Sequence, residues 1–249
     1  MAVLGTVAFW YEWDYPRAEE LLRLAITRQP STDSHYQLAH LLSYLGRHDE
    51  ALVEIRRARE LDPEALFPRA IEGSFLFTAR RYQEGLAHLD SVVELAPNFV
   101  QGHVMRGIVL ASVGRYDEAI RECDLARELE ARIPRSATVG PRMYPTALRG
   151  YALARSGRRA EAEAVLRQIR THERDAYVPP HDIAMVLHGL GRDDEALLEL
   201  RRAVDVRDVR VTRLGVDPKW DELRGSASFQ ALLSRIHLLD VSNRVLAMR

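Results

Sequence analysis

The feature that most constrains this chain is a self-similarity with a period of about 34 residues. Four segments, Asp14-Tyr15-Pro16-Arg17-Ala18-Glu19, Gly46-Arg47-His48-Asp49-Glu50-Ala51, Arg80-Arg81-Tyr82-Gln83-Glu84-Gly85 and Gly114-Arg115-Tyr116-Asp117-Glu118-Ala119, each open a stretch with helical apolar spacing. Their small residues, Ala18, Ala51, Gly85 and Ala119, step by 33, 34 and 34. Two further units follow around Ala162 and Ala196, again 34 apart. Pro30, Pro63 and Pro97 stand twelve residues after the first three of these small positions. Proline lacks the backbone donor and clashes with the preceding turn, so each ends its helix.

A second set of small residues, Ala39, Gly73, Gly107, Gly150 and Ala184, falls in the first helix of each pair, and Tyr15, Tyr82 and Tyr116 follow the turn. Small side chains are needed where paired helices cross, because a larger group would push them apart. In these residues the chain resembles the tetratricopeptide repeat (TPR) over about 1–207. The Trp-Leu pair of that pattern is mostly absent, and the first unit has only about twelve residues of its first helix. The resemblance implies an all-α fold, a right-handed α-solenoid of about six TPR-like helix pairs with a C-terminal helical cap.

Composition agrees with a folded chain: 47% hydrophobic and 29% charged residues provide a continuous core without excess charge. Net charge is −1, so no global field draws nucleic acid or an anionic membrane, and direct nucleic-acid or membrane partners are not expected. Cys123 is the only cysteine, which excludes an internal disulfide and a cysteine-built zinc site. The first residues lack a basic segment and reach Glu12 and Asp14 before a membrane-length apolar run develops, which reads as a cytoplasmic, soluble protein.

The expected organisation is units one to four over 1–131, a loop or hinge over 132–142 with Pro134, Gly140 and Pro141, units five and six over 143–207, and a cap over 208–249. A second break is expected from Thr171 to Pro180. Trp220, Leu223, Phe229 and Leu232 are the expected cap anchors. Val178-Pro179-Pro180-His181, Leu190-Gly191-Arg192-Asp193 and Val216-Asp217-Pro218-Lys219-Trp220-Asp221-Glu222-Leu223-Arg224 are similar to the C-terminal TPR region of bacterial winged-helix regulators, kinases and cyclases. That likeness implies a sensor or effector module.

Catalytic chemistry finds little support. His181 with His188, and His35 with His40, share helix faces, but no His-Glu-x-x-His pattern or convergent ligand set accompanies them. No metal or cofactor is expected, and no phosphate-cradling glycine loop or nucleophile elbow occurs. The pairs Asp49-Glu50, Asp117-Glu118 and Asp194-Glu195 recur in register, so they read as helix-start charges that complement the dipole. Arg-rich stretches such as 54–60 alternate with acids and read as solvated faces.

First helices of such a stack line its concave face. The register places Trp10, Tyr11, Tyr36, His40, Tyr44, Phe77, Val104, Ile108, Tyr151, Arg155, His181, Met185 and His188 there as a peptide-binding groove. It is aromatic and apolar and has no Asn, which argues against a clamp for a terminal carboxylate. The expectation is a non-catalytic protein- or peptide-binding scaffold in bacterial signalling or transcriptional regulation. Two alternatives stand beside it: a small-molecule or metal sensor, or enzyme, with a histidine-lined cavity, and a structural homo-oligomer. A homodimer is compatible with either. The tail residues Leu238, Leu239, Val241, Val245 and Leu246 are also able to fill the groove from within.

Overall fold

The computed structural model describes residues 1–133 and 143–247. Among these residues six helix pairs follow one another. They are α1 (Ala2–Val7), continued by a π-helical turn (Ala8–Glu12), with α2 (Tyr15–Arg28); α3 (Thr32–Tyr44) with α4 (His48–Leu61); α5 (Leu66–Thr78) with α6 (Tyr82–Leu95); α7 (Val100–Ser112) with α8 (Tyr116–Arg132); α9 (Tyr144–Arg155) with α10 (Arg159–Glu173); and α11 (Pro180–Gly189) with α12 (Asp193–Asp205). Two 3₁₀ turns, Val209–Arg213 and Pro218–Trp220, lead to α13 (Ala227–Arg235) and α14 (Leu239–Ala247). Among the described residues no strand forms, and no helix is long and apolar enough to cross a membrane. The fold is the all-α repeat the sequence pattern implies. Helices α2, α4 and α6 end two residues before Pro30, Pro63 and Pro97.

Each pair turns on one left-handed residue. Gly46, Gly114, Gly157 and Gly191 hold positive φ, and Trp13 and Arg80 adopt the same conformation in units one and three. Glycine takes it freely, whereas a side chain costs about 1 kcal/mol there. The residue after it closes the turn: the N–H groups of Arg47, Arg81, Arg115, Arg158 and Arg192 each donate to a leucine carbonyl five residues back, at 2.9 Å. The same arginines fork onto the glutamate three residues on. Arg47 Nε and Nη2 donate to the two oxygens of Glu50 at 2.7 Å, and Arg115 does so to Glu118 at 2.6 Å. The recurring acid pairs are therefore structural, with the Glu of each pair held by an arginine as well as by the helix dipole. Unit one reverses the pattern, with the acid first: Asp14 caps α2 by accepting from the N–H of Arg17.

The small residues sit where expected. Ala18, Ala39, Ala51, Ala119, Ala162, Ala184 and Ala196 are all fully buried. A Cβ at Gly150 would stand 2.9 Å from Val165 Cγ1 and 3.0 Å from Val186 Cγ2, whereas one at Gly107 would meet nothing nearer than 3.5 Å. Gly5, one repeat step before Ala39, belongs to the same set: its Cβ would lie 2.8 Å from Leu22 Cγ.

The chain forms two compact units, one of Met1–His88 with Val209–Arg249 and one of Leu89–Asp208. This division differs from the expected split at 132–142, a segment that lies, from 134 on, outside the described residues. α10 also runs to Glu173, so the second break is shorter than expected. Residues 209–249 group with the first repeats in one compact unit. The expected anchors Trp220, Leu223, Phe229 and Leu232 are all buried there. Arg224 is fully buried within this segment. Its guanidinium donates to the carbonyls of Leu214 (3.1 Å), Gly215 (2.6 Å) and Asp217 (2.8 Å), to Ser242 Oγ (3.0 Å) and to Asp221 (2.6 Å). Burial pulls it down to about 10, so it is charged at neutral pH.

These contacts separate two glycines of the same register. Gly150→Ala forces a methyl against two β-branched side chains and is expected to destabilise by about 1–3 kcal/mol. Gly107→Ala meets only ordinary contacts and is expected to gain up to about 1 kcal/mol from helix propensity. Urea unfolding midpoints of the two variants test the pair, and shifts of the same sign contradict this account of the crossings.

Candidate functional site

In the unit that holds the first repeats, the residues expected to line a groove form a continuous chain of rings. Trp10 packs against Phe9 (4.2 Å between centroids), His40 (5.6 Å) and Tyr44 (5.9 Å). His40 meets Tyr36 at 4.5 Å and Phe75 at 5.1 Å, and Tyr36 meets Phe67 at 5.7 Å. The centre of the chain is buried: His40, Tyr44 and Phe75 have almost no solvent surface. Its margin is not, since Trp10 and Tyr36 are partly exposed and Phe67 is exposed. Trp10 Nε1 donates to Gln37 Oε1 at 3.0 Å, which holds the indole in place. Tyr11, on the neighbouring position, is exposed.

The C-terminal segment lies against the same unit. Lys219 Nζ sits 5.4 Å from the centre of the Phe77 ring, so Phe77 is buried rather than open. Tyr15 Oη donates to the carbonyl of Ile236 at 2.9 Å, and Val241 lies beside Gly46. Of the tail residues able to fill the face, Leu238 and Val241 are buried, while Leu239, Val245 and Leu246 are half-buried. Burial alone would raise the Asp217 carboxyl, but Lys219 and Arg213 hold it far below the usual carboxylate range. Lys219 Nζ reaches its two oxygens at 2.9 and 2.8 Å.

Arg80, the non-glycine residue in the left-handed turn of unit three, spends its strain on this segment. Its guanidinium pairs with Asp221 at 2.7 and 2.8 Å and donates to Tyr82 Oη at 3.2 Å. The pair borders a cleft of about 240 Å³, lined also by His48, Thr78, Ala79 and Val245. Burial and the nearby Arg80 push His48 down to about 4, so its ring is neutral.

In the second unit Val104, Ile108, Tyr151, His181, Met185 and His188 are all buried, and Arg155 alone of the expected set is exposed. His188 Nδ1 lies 2.7 Å from Asp193 and its ring stacks on Tyr151 at 6.4 Å. His181 Nδ1 is 3.5 Å from Asp182. Each of these histidines thus has a carboxylate neighbour. Among the described residues no three His, Cys, Asp or Glu side chains converge as metal ligands would. A histidine held between two acceptors occurs at a position the sequence reading passed over. Both ring nitrogens of His103 face acceptors, Glu122 at 2.7 Å and the Pro97 carbonyl at 2.8 Å, and the Glu122 bond raises its pKa. Arg106 completes the cluster on Glu122 and Asp90.

Two segments match the family model described as "Tetratricopeptide repeat", residues 32–64 and 143–168. They are units two and five of the six that share the turn and the crossing. These two segments are similar to tetratricopeptide repeats. Solved TPR-like folds agree. PilW, a widely conserved type IV pilus biogenesis factor, is 17% identical with a TM-score of 0.57, over 93% of this chain and 96% of that one. A thermophilic TPR protein of Thermus thermophilus is 21% identical with a TM-score of 0.54, over 74% and 98%. PilF of Pseudomonas aeruginosa is 19% identical with a TM-score of 0.53, over 94% and 95%. At these identities the likeness is one of fold. No curated protein matches the sequence.

Two residues, one at the aromatic margin and one at a helix crossing, escaped the sequence reading. Phe67 lies at the start of α5, outside the register counted for the groove, and Gly5 required extending the 34-residue step back into the shortened first unit.

The buried ring at the centre of the aromatic chain gives a pH dependence. His40 Nδ1 faces the Tyr36 carbonyl at 3.2 Å, and burial, opposed by that bond and aided by Arg213, pushes it down to about 4. Its folded pKa thus lies below the ordinary imidazole value, and the unfolded chain binds the proton more readily. Stability is unaffected by His40 above about pH 6.5 and falls by up to about 3 kcal/mol as pH drops from there towards 4. Urea unfolding at pH 7 and pH 4.5 is expected to show this loss in the native chain and a smaller one in His40→Gln; an equal loss in both removes His40 as its source.

Proposed function

We propose that this chain is a non-catalytic protein-binding scaffold that engages an apolar or aromatic segment of a partner along the margin of its aromatic face. The observation that carries this reading is the chain of ring contacts that emerges from the core at Trp10, Tyr36 and Phe67. Aromatic side chains anchored from below lose little conformational freedom on binding, and such anchors dominate many interfaces. Of the thirteen residues expected in the groove, Trp10, Tyr11 and Tyr36 then make the contacts in the first unit, and His40 and Tyr44 support them.

The tetratricopeptide fold is typically a scaffold without catalysis of its own, and the histidines have structural neighbours, which favours binding over chemistry. The likeness of 178–233 to the repeat region of bacterial regulators, kinases and cyclases supports a role in cytoplasmic signalling or transcriptional regulation. No direct contact with nucleic acid or membrane is part of it.

Panning the chain against a random peptide library tests the proposal. Peptides rich in apolar and aromatic residues are expected, with affinities that fall about 10- to 100-fold in the Trp10→Ala/Tyr36→Ala/Phe67→Ala variant. Selected peptides that bind this variant as well as the native chain would refute the assignment.

A further inference from the structure

The cleft beside the Arg80–Asp221 pair lies within one compact unit, between the start of α4, the turn of unit three and the C-terminal segment. Its volume of about 240 Å³ falls just below the roughly 300–1,000 Å³ of sites for drug-sized ligands, so it suits a small molecule. His48 lines it, and among the described residues His48 Nδ1 is buried without a hydrogen-bond partner. Buried polar groups are nearly always paired, so this ring is one the fold itself leaves unused.

The polar groups at the cleft are donors in excess of acceptors. Neutral imidazole carries one N–H. Tyr82 Oη accepts from Arg80 Nη1 at 3.2 Å, which leaves its own hydrogen to donate. Arg80 keeps its Nε–H beyond the bonds to Tyr82 and Asp221. Asp221 is already engaged: Oδ1 accepts from Arg80 Nη2 at 2.8 Å and Arg224 Nε at 2.6 Å, and Oδ2 lies 2.7 Å from Arg80 Nη1. Arg80 and Arg224 against Asp221 leave one positive charge. Asp49, next to His48 in the chain, is fully exposed beside Arg81, where water screens it. The other walls are apolar, from Ala79, Val245 and the methyl of Thr78, whose hydroxyl is bonded to Ser43 at 3.0 Å. Arg80 itself stands in the left-handed conformation that Gly46, Gly114, Gly157 and Gly191 hold at other turns, so its guanidinium is fixed at the cleft from a strained backbone.

We propose that this cleft binds a small organic monocarboxylate, its oxygens on Arg80, Tyr82 and His48 and its apolar body against Ala79 and Val245. A cation meets the excess positive charge, a neutral apolar molecule leaves the donors unmatched, and inorganic phosphate brings no apolar body to the walls. The bound acid ties α4 and the turn of unit three to the C-terminal segment, at residues separate from the aromatic margin.

Benzoate titrated into the full chain at pH 7 tests the site. A saturable shift of the His48 ring Cε1–H signal, assigned by its loss in His48→Gln, is expected with a dissociation constant of about 0.1–1 mM. Benzyl alcohol, benzylamine and inorganic phosphate are each expected to bind at least about tenfold more weakly. Arg80→Gly takes the residue that suits the turn and Tyr82→Phe keeps the ring; with circular dichroism unchanged, they are expected to weaken benzoate by about tenfold and about threefold. A carboxylate that ends a peptide, offered as acetyl-Gly-Gly-Phe, is expected to bind more weakly than benzoate because of the cleft's size. No saturable shift overturns the proposal, as does benzoate binding unchanged in both variants or matched by benzyl alcohol or phosphate. Tighter binding of the peptide moves the site to chain termini and overturns it as well.

Discussion

The close crossing of two helices at a small residue is the contact on which the rest of this protein depends. Ala39, Gly107 or Gly150 brings backbone to within van der Waals reach of a neighbouring helix, and only then can the leucine and valine layers interdigitate. The crossing also demands a tight turn. A left-handed residue followed by an arginine whose N–H returns to a leucine carbonyl supplies it in five of the units. In those five units the Arg–Glu fork then ties the start of the second helix to the same turn, as at Arg47 and Glu50. Crossing, turn and fork form one device, repeated.

Where the device is varied, another part of the chain exploits the change. Arg80 replaces the turn glycine and accepts backbone strain, and its guanidinium holds Asp221 of the C-terminal segment. Trp13 holds the same left-handed conformation at the turn of the first unit. The C-terminal segment in turn folds around Arg224, whose guanidinium donates to three of its backbone carbonyls. It is an integral part of the first unit's core, with Trp220, Phe229 and Leu233 fully buried.

This changes what the inward-facing residues do. His40, Tyr44 and Phe77 were legible as one face because helical spacing puts them there, and they do lie in one cluster or against one segment. Their exposure was not legible. Helical register reports the direction of a side chain, while burial depends on what else packs against it, and the covering segment lies more than 130 residues away from Phe77. Phe67 escaped notice for the opposite reason: it sits at a helix start, where its ring reaches Tyr36 by geometry no periodic count includes.

The sequence by itself determined the helix pairs, their boundaries at Pro30, Pro63 and Pro97, the crossings and the turn register, because each rests on local stereochemistry repeated every 33 or 34 residues. Only the tertiary structure decided that residues 209–249 join the first repeats and that the centre of the aromatic face is core while Trp10, Tyr36 and Phe67 reach solvent. Those outcomes follow from contacts between residues far apart in the chain, which depend on packing in three dimensions and leave no periodic trace in the sequence.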